Sequence, residues 1–374
     1  MNSGFLAVPP HKNFRALLAC VLLAGTIPAL TQPAWAQVQP GAPSSGLINP
    51  RAIVYSPASG KVYAVDTSHD AVQIYNDASG ATRRVGVGAA PVSIAVNAIN
   101  GRVYVANAGD GTVSVLDGAS DALLATVAIG SHPYSIAANA ASGKVYVTHT
   151  FGEQLSILDG ATNAVTDLKT GSADLIAINP RKATVYLLGY GGAVTVLDEV
   201  TQKMNIRHVG KHAWGLTLDE AANTVYVARI ESADLAAVKD ESSEPAILHT
   251  GAIPCAIALN SKTHSIYVAN YGDNTVTVID GRNGRTRATV PVGDRPEAIA
   301  LDPNRNLVYV ANTSGDSVTV IDAGDNTVLA TLPAGKSPYA LAVVPGSDRL
   351  YVANEVDDGS STVVALGGIR KTVP

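Results

Sequence analysis

The sequence predicts an all-β fold, a β-propeller of four-stranded antiparallel blades, with eight blades favoured by count and seven as the alternative. Three observations predict it. A tyrosine in an apolar run recurs at Tyr63, Tyr104, Tyr146, Tyr186, Tyr226, Tyr267, Tyr309 and Tyr351, with successive spacings of 40 to 42 residues. Each period holds four short runs rich in Val, Ile and Tyr that alternate with period two, the signature of strands. No run has the length or the 3.6-residue period of a substantial helix. A four-stranded meander has two apolar faces and cannot hide both alone, so neighbouring copies must cover them. Blades stacked radially around a channel do this, and a period near 40 residues is theirs.

Within one unit, residues 133–171, the runs are A (Ser135 to Asn139), B (Lys144 to Thr148), C (Gln154 to Leu158) and D (Ala164 to Leu168). Ala-Ser-Gly separates A from B, a Gly-Glu or Gly-Asp turn separates B from C, and an Asp-Gly-x-Thr stretch separates C from D. These residues accept positive φ or bond their own backbone, as tight turns require. Blade 1 begins at Arg51, and GGIRKTVP at the C-terminus resembles run D of blade 6, RTRATVPVG, so eight copies fit within 51–374 as a single domain.

Residues 1–36 read as a signal peptide and 37–50 as a linker. His11, Lys12 and Arg15 form a basic start, Ala16 to Leu30 an apolar stretch, and Ala34-Trp35-Ala36 a small-x-small cleavage signature. The apolar stretch is broken by Gly25, Thr26 and Pro28, short of the ~20 residues of a membrane span. The expected location is the periplasm or the cell surface, with no membrane insertion of the mature chain. Losing Lys12 and Arg15 takes the formal charge from −5 to −7. An acidic body without a basic run argues against a grip on nucleic acid. Only Cys255 remains after cleavage, so no intrachain disulfide is possible. Charged residues are 15% of the chain, against roughly 25% in ordinary soluble domains, and hydrophobic ones 47%, a composition that fills a large core.

The strings VYVAN (103–107), GDNTVTVID (272–280) and ATVPVGDRPEAIAL (288–301) resemble the YVTN β-propeller repeat, whose closest literal form here is Tyr146-Val147-Thr148. The likeness covers 51–374 and weakens in blades 4 and 5, where LLGYGG and VARIESADLAAVKD lack the Asn and the Gly-Asp turn. The resemblance implies an exported bacterial or archaeal propeller, and fixes fold more than activity, since propellers host lyases, lactonases, redox subunits and binding platforms.

Because strands alternate in direction, the D-to-A and B-to-C connections share one rim, and there the variable residues gather. The candidate ligand-binding residues at the channel mouth are His132, Tyr134, His149, Asp174, His212, Trp214, Arg229, Glu231, Arg295, Glu297 and Tyr339. Blades 3 to 5 depart furthest from the consensus, and Tyr134, His149, His212, Trp214, Arg229 and Glu231 mark that sector as the favoured one. His132, His149 and His212 lie on the same rim, but no metal-binding string supports a metal centre. Asp110, Asp273 and Asp316 read as turn formers rather than calcium ligands. Asn107, Asn270, Asn312 and Asn354 read as caps on backbone groups. No nucleophile elbow, phosphate loop or dinucleotide fingerprint is present, and Gly189-Tyr190-Gly191-Gly192 reads as a plain turn.

The expected function is a ligand-binding or protein-interaction platform with no catalysis of its own and no cofactor. Its partner is an unknown protein or small molecule, and the chain is expected to be a monomer. The alternative is an enzyme of the lyase or lactonase type using His132, His212 and a mouth carboxylate, Glu297 or Asp174, with a divalent cation as an option. A third reading is an accessory subunit of a periplasmic redox enzyme.

Overall fold

The computed structural model describes residues 36–38, 53–150, 152–239, 244–355 and 361–368. The expected leader up to residue 35, most of the linker, and residues 369–374, in which run D of blade 8 was expected, lie outside the described residues.

Eight four-stranded sheets follow one another along the chain. In the seven sheets from Ile53 to Pro333 the strands lie in the order A-B-C-D and all pairings are antiparallel. Blade 3 is representative, with A Pro133–Ala138, B Lys144–His149, C Gln154–Asp159 and D Val165–Lys169. Each sequence-derived run lies within two residues of its strand. The eighth sheet keeps A (Pro338–Val343), B (Leu350–Glu355) and C (Ser361–Leu366) antiparallel. Its fourth strand, Ala36–Val38, pairs in parallel with the inner side of strand A, Ala36 opposite Ala340.

Burial follows position in the blade. Strand B of blade 7 (Leu307–Asn312) is buried at every residue, whereas strand D of the same blade (Val328–Pro333) alternates between exposed and half-buried. Inner strands are covered on both faces by adjacent blades, and the outermost has solvent beyond it. The core is therefore a ring of clusters shared between neighbouring blades: Val105, Ile94 and Leu116 of blade 2, for example, pack with Val65, Val72 and Ile74 of blade 1, and the largest cluster runs through blades 2, 3 and 4.

The recurring tyrosine joins one blade to the next. Tyr63 Oη donates to Gly118 O (3.0 Å) in the C-to-D turn of blade 2, Tyr186 reaches Asn223 of blade 5 (3.1 Å), and Tyr267 reaches Ala323 O of blade 7 (3.4 Å). Burial pushes the Tyr63 hydroxyl up to about 12, so it stays a donor. Two residues before the tyrosine, a basic side chain makes the same crossing: Lys61 Nζ bonds Gly118 O (3.0 Å) and pairs with Asp121 (2.7 Å), and Arg102 bonds Gly160 O. Gly160 has no room for a side chain, since a Cβ there would overlap Gly143 O and lie 2.7 Å from the Tyr104 hydroxyl. Tyr351 of blade 8 makes the crossing onto blade 1: its hydroxyl donates to Asp77 Oδ1 (3.0 Å), its ring lies 5.8 Å from that of Tyr75, and Arg349 bonds Asp77 O. The eight blades close into a ring.

Candidate functional site

The mouth ring is built by a repeated backbone device. In blades 2, 3, 5, 6, 7 and 8 the pairing of strands A and B shifts register at the start of A, a β-bulge that re-aims one side chain. The displaced residues include Val92, Tyr134, Trp214, Cys255, Glu297 and Tyr339, of which Tyr134, Trp214, Glu297 and Tyr339 are candidates from the sequence. The residue two places earlier is left-handed in all six blades: Ala90, His132, His212, Ile253, Arg295 and Ser337 have φ between 46° and 56°. Non-glycine residues adopt this conformation rarely, and here hydrogen bonds hold it. Each carbonyl accepts an N–H from the end of its own strand B or the turn that follows, as in Thr150 N to His132 O (2.9 Å) and Thr313 N to Arg295 O (2.9 Å). The turn of the preceding blade also accepts from the amide at Ala90 (Asp70, 2.7 Å), Arg295 (Asn274, 2.8 Å) and Ser337 (Asp316, 2.9 Å). Asp316 thus ties one blade to the next beyond forming its own turn.

Blade 4 lacks the bulge, and Ala173 is not left-handed. There the Asp174 carboxylate accepts the turn N–H of Tyr190 (2.7 Å), the role played elsewhere by a backbone carbonyl. Burial pushes the Asp174 carboxyl above the ordinary carboxylate range, against the lowering effect of that hydrogen bond. Asp174 shapes the rim and offers only its remaining oxygen to a ligand.

Two more expected mouth residues serve the blade. His149 and Arg229 occupy the strand-B end position that Asn107, Asn270 and Asn312 hold in the regular blades. Asn107 Nδ2 donates to Thr112 (2.9 Å) and Ser114 (3.0 Å) of strand C, and Asn270 to Thr275 (2.9 Å) and Thr277 (2.8 Å). These asparagines clamp side chains of strand C, and Asn270 and Asn312 also accept from the backbone at Gly251 and Gly293. His149 is buried, with Nε2 2.8 Å from Ser156 Oγ and Nδ1 2.9 Å from Ser131 O. Arg229 makes a bidentate pair with Asp234 (2.6 Å twice) and donates to Val209 O (2.9 Å). Neither side chain is turned outward.

Where blades 4 and 5 meet, the rim gathers an aromatic group. Tyr190, 40% exposed, lies 5.2 Å from His212 and 5.9 Å from Trp214 between ring centroids, with planes inclined at 65° and 72°. His212 Nδ1 stands 2.7 Å from Glu231 Oε2, out of line for a hydrogen bond. Burial and the nearby Glu231 raise the Tyr190 hydroxyl. Of the six residues in the favoured sector, His212, Trp214 and Glu231 converge. Tyr190 completes the group, at the turn position that blades 2, 3, 6 and 7 fill with Ala108, Thr150, Tyr271 and Thr313; flanked by glycines, it carries no signal in the sequence beyond that of a turn.

The remaining candidates stand elsewhere on the rim. His132 is exposed, and Tyr134 is half-buried at the bulge of blade 3. Arg295 lies over the ring of Tyr271 (5.5 Å), with Glu297 buried near Tyr271 and Cys255. Tyr339 is buried between blades 8 and 1. Among the described residues no group of three or more His, Cys, Asp or Glu is placed to hold a metal ion. No helix among them is long and apolar enough to cross a membrane.

A family profile described as Lactonase, 7-bladed beta-propeller, matches residues 32–332. The chain belongs to this lactonase family. The match, rather than a specific tie to the YVTN repeat, establishes the relationship. It stops inside strand D of blade 7, and strands A, B and C of the eighth blade of this lactonase-family chain lie beyond it. No curated protein sequence matched. Among solved structures, Kuenenia stuttgartiensis hydrazine synthase aligns with TM-score 0.60 at 18% identity, over 74% of this chain and 96% of the other. The computationally designed Ika8 protein aligns with TM-score 0.69 at 14% identity, over 89% and 100%. The dihydro-heme d1 dehydrogenase NirN, solved with DHE, aligns with TM-score 0.69 at 13% identity, over 84% and 71%. These likenesses show the fold alone.

Proposed function

We propose that the protein binds a small molecule at the rim between blades 4 and 5, as an exported binding propeller of the YVTN type. The observation that carries this reading is the aromatic group of Tyr190, His212 and Trp214, which places π-surface beside a carboxylate at the mouth while the surrounding loops are held by hydrogen bonds. Ligand sites of small molecules combine such apolar walls with a few fixed polar groups. The test is built in: the only tryptophans are Trp35 and Trp214, and Trp35 falls in the expected leader. Titration of the mature protein with a panel of lactones, sugars and small amines is expected to give a saturable change in Trp214 emission that Tyr190→Ala abolishes. A response that survives Tyr190→Ala places the ligand elsewhere, and silence across the panel contradicts the reading.

Membership of the lactonase family favours a second reading, opening of a lactone ring. His212 beside Glu231 is suited to take a proton from an attacking water. The same titrated lactones, followed for acid release with wild type and His212→Ala, separate hydrolysis from binding. The redox-subunit reading has only the fold of its neighbours behind it. Export rests on the leader, and N-terminal sequencing of periplasmic material is expected to begin at Gln37; a chain retaining Met1 would contradict it.

A further inference from the structure

We propose that the ligand recognised at this rim is a small organic cation of the quaternary or alkylated ammonium class. The inference rests on the binding reading above and names its ligand chemistry. An aromatic ring attracts a cation through the negative face of its quadrupole, and two rings set at a steep angle make a corner in which one ammonium touches both. Tyr190 and Trp214 have planes 72° apart and centroids separated by 5.9 Å, and Tyr190 is 40% exposed.

Charge around the corner has the matching sign. The four loops that form this sector, residues 170–174, 189–192, 209–212 and 230–233, contain Asp174, Lys211, His212 and Glu231 as their titratable side chains besides Tyr190. Glu231 is half-exposed, 2.7 Å from His212, and close enough to raise the Tyr190 hydroxyl electrostatically. Asp174 is held to the Tyr190 amide (2.7 Å), and burial disfavours its charged form, a cost that a neighbouring cation reduces. Arg229, the guanidinium nearest in sequence, is neutralised by its bidentate pair with Asp234. Lys211 is exposed. An anionic ligand would meet two carboxylates here, with the exposed Lys211 ammonium and the His212 imidazole, itself against Glu231, to hold it.

The experiment compares choline with 3,3-dimethylbutan-1-ol, its uncharged isostere, by Trp214 emission at constant ionic strength. Choline is expected to saturate, and the alcohol to bind at least about tenfold more weakly. Tyr190→Phe keeps the ring face and is expected to keep choline binding, whereas Tyr190→Ala and Glu231→Gln each weaken it by about tenfold. Tyr190 and Glu231 are exposed, so these variants are expected to fold, which circular dichroism checks. Equal affinity for choline and the alcohol overturns the inference, as does an absence of saturation by choline. If a neutral lactone or sugar saturates Trp214 and loses its effect in Tyr190→Ala while choline does nothing, the binding reading stands and the cation inference falls. If no compound moves Trp214, both fall.

Discussion

Tyr351→Ala is expected to destabilise the protein by about 3–5 kcal/mol, the range for truncating a buried aromatic. The loss should appear first as rapid amide exchange in blades 8 and 1. The reason lies in the topology of stacked repeats. In an open array each repeat leans only on its neighbours, and the two ends need caps. Here blade 8 caps blade 1: Tyr351 is buried, packs against Tyr75, and donates to Asp77 Oδ1 at 3.0 Å. The conservative Tyr351→Phe keeps the ring and removes one hydrogen bond to a charged group, worth about 1.5 kcal/mol. Denaturant midpoints of the two variants therefore separate ring packing from the hydroxyl. Equal losses in both, or exchange spread evenly around the eight blades, would contradict this closure.

The second large effect is expected at Arg229 and Asp234. Removing one partner of a buried ion pair leaves an uncompensated charge, at a cost of about 3–5 kcal/mol. Side-chain exposures of 18% for Arg229 and 8% for Asp234 put the pair in that regime. Asp234→Ala should therefore lower stability by about 3 kcal/mol. Blades 2 and 6 fill the same two positions with neutral partners, Asn107 with Thr112 and Asn270 with Thr275. The double variant Arg229→Asn with Asp234→Thr recreates that pair and is expected to recover most of the loss in equilibrium unfolding. A double variant as unstable as Asp234→Ala would show that the blade 5 hairpin needs the charges themselves.

The architecture was legible because the repeat prints itself on the chain. A tyrosine recurring at nearly constant spacing marks strand B of every blade, and its reason is geometric, since the hydroxyls of Tyr63, Tyr267 and Tyr351 lie against the C-to-D turn of the following blade and that of Tyr186 against its A-to-B turn. The Lys or Arg two residues before Tyr63, Tyr104, Tyr146 and Tyr351 carried the same message. The parallel strand at Ala36–Val38 was not legible, because a three-residue pairing leaves no pattern of its own.

The candidate site was legible by position and much less by role. The mouth candidates Tyr134, Trp214, Glu297 and Tyr339 all stand at the bulge that begins strand A, where Glu297 and Tyr339 are buried and Tyr134 and Trp214 half-buried. The sequence offers Asp174 as a mouth carboxylate and does not show that the Tyr190 amide takes one of its oxygens, because it does not show which amide lacks a carbonyl partner. His149 and Arg229 looked like departures from the consensus that mark a site, yet they fill the clamp position of Asn107 with a different chemistry. Alignment of the eight strand-B ends contained that information. Tyr190 was hidden by its glycine neighbours, which speak for a turn whatever stands between them.

Closure of the ring, on which the shared rim depends, is tested most directly by cross-linking beside its seam. Ala78→Cys and Ser347→Cys flank the contact between Asp77 and Arg349, which lie 272 positions apart in sequence, and Cys255 is buried away from reagent. A short bismaleimide is expected to join the two cysteines within one molecule, with monomeric mass and faster migration after denaturation. Linkage only between molecules, or none at concentrations that modify each cysteine singly, would contradict a closed eight-bladed ring.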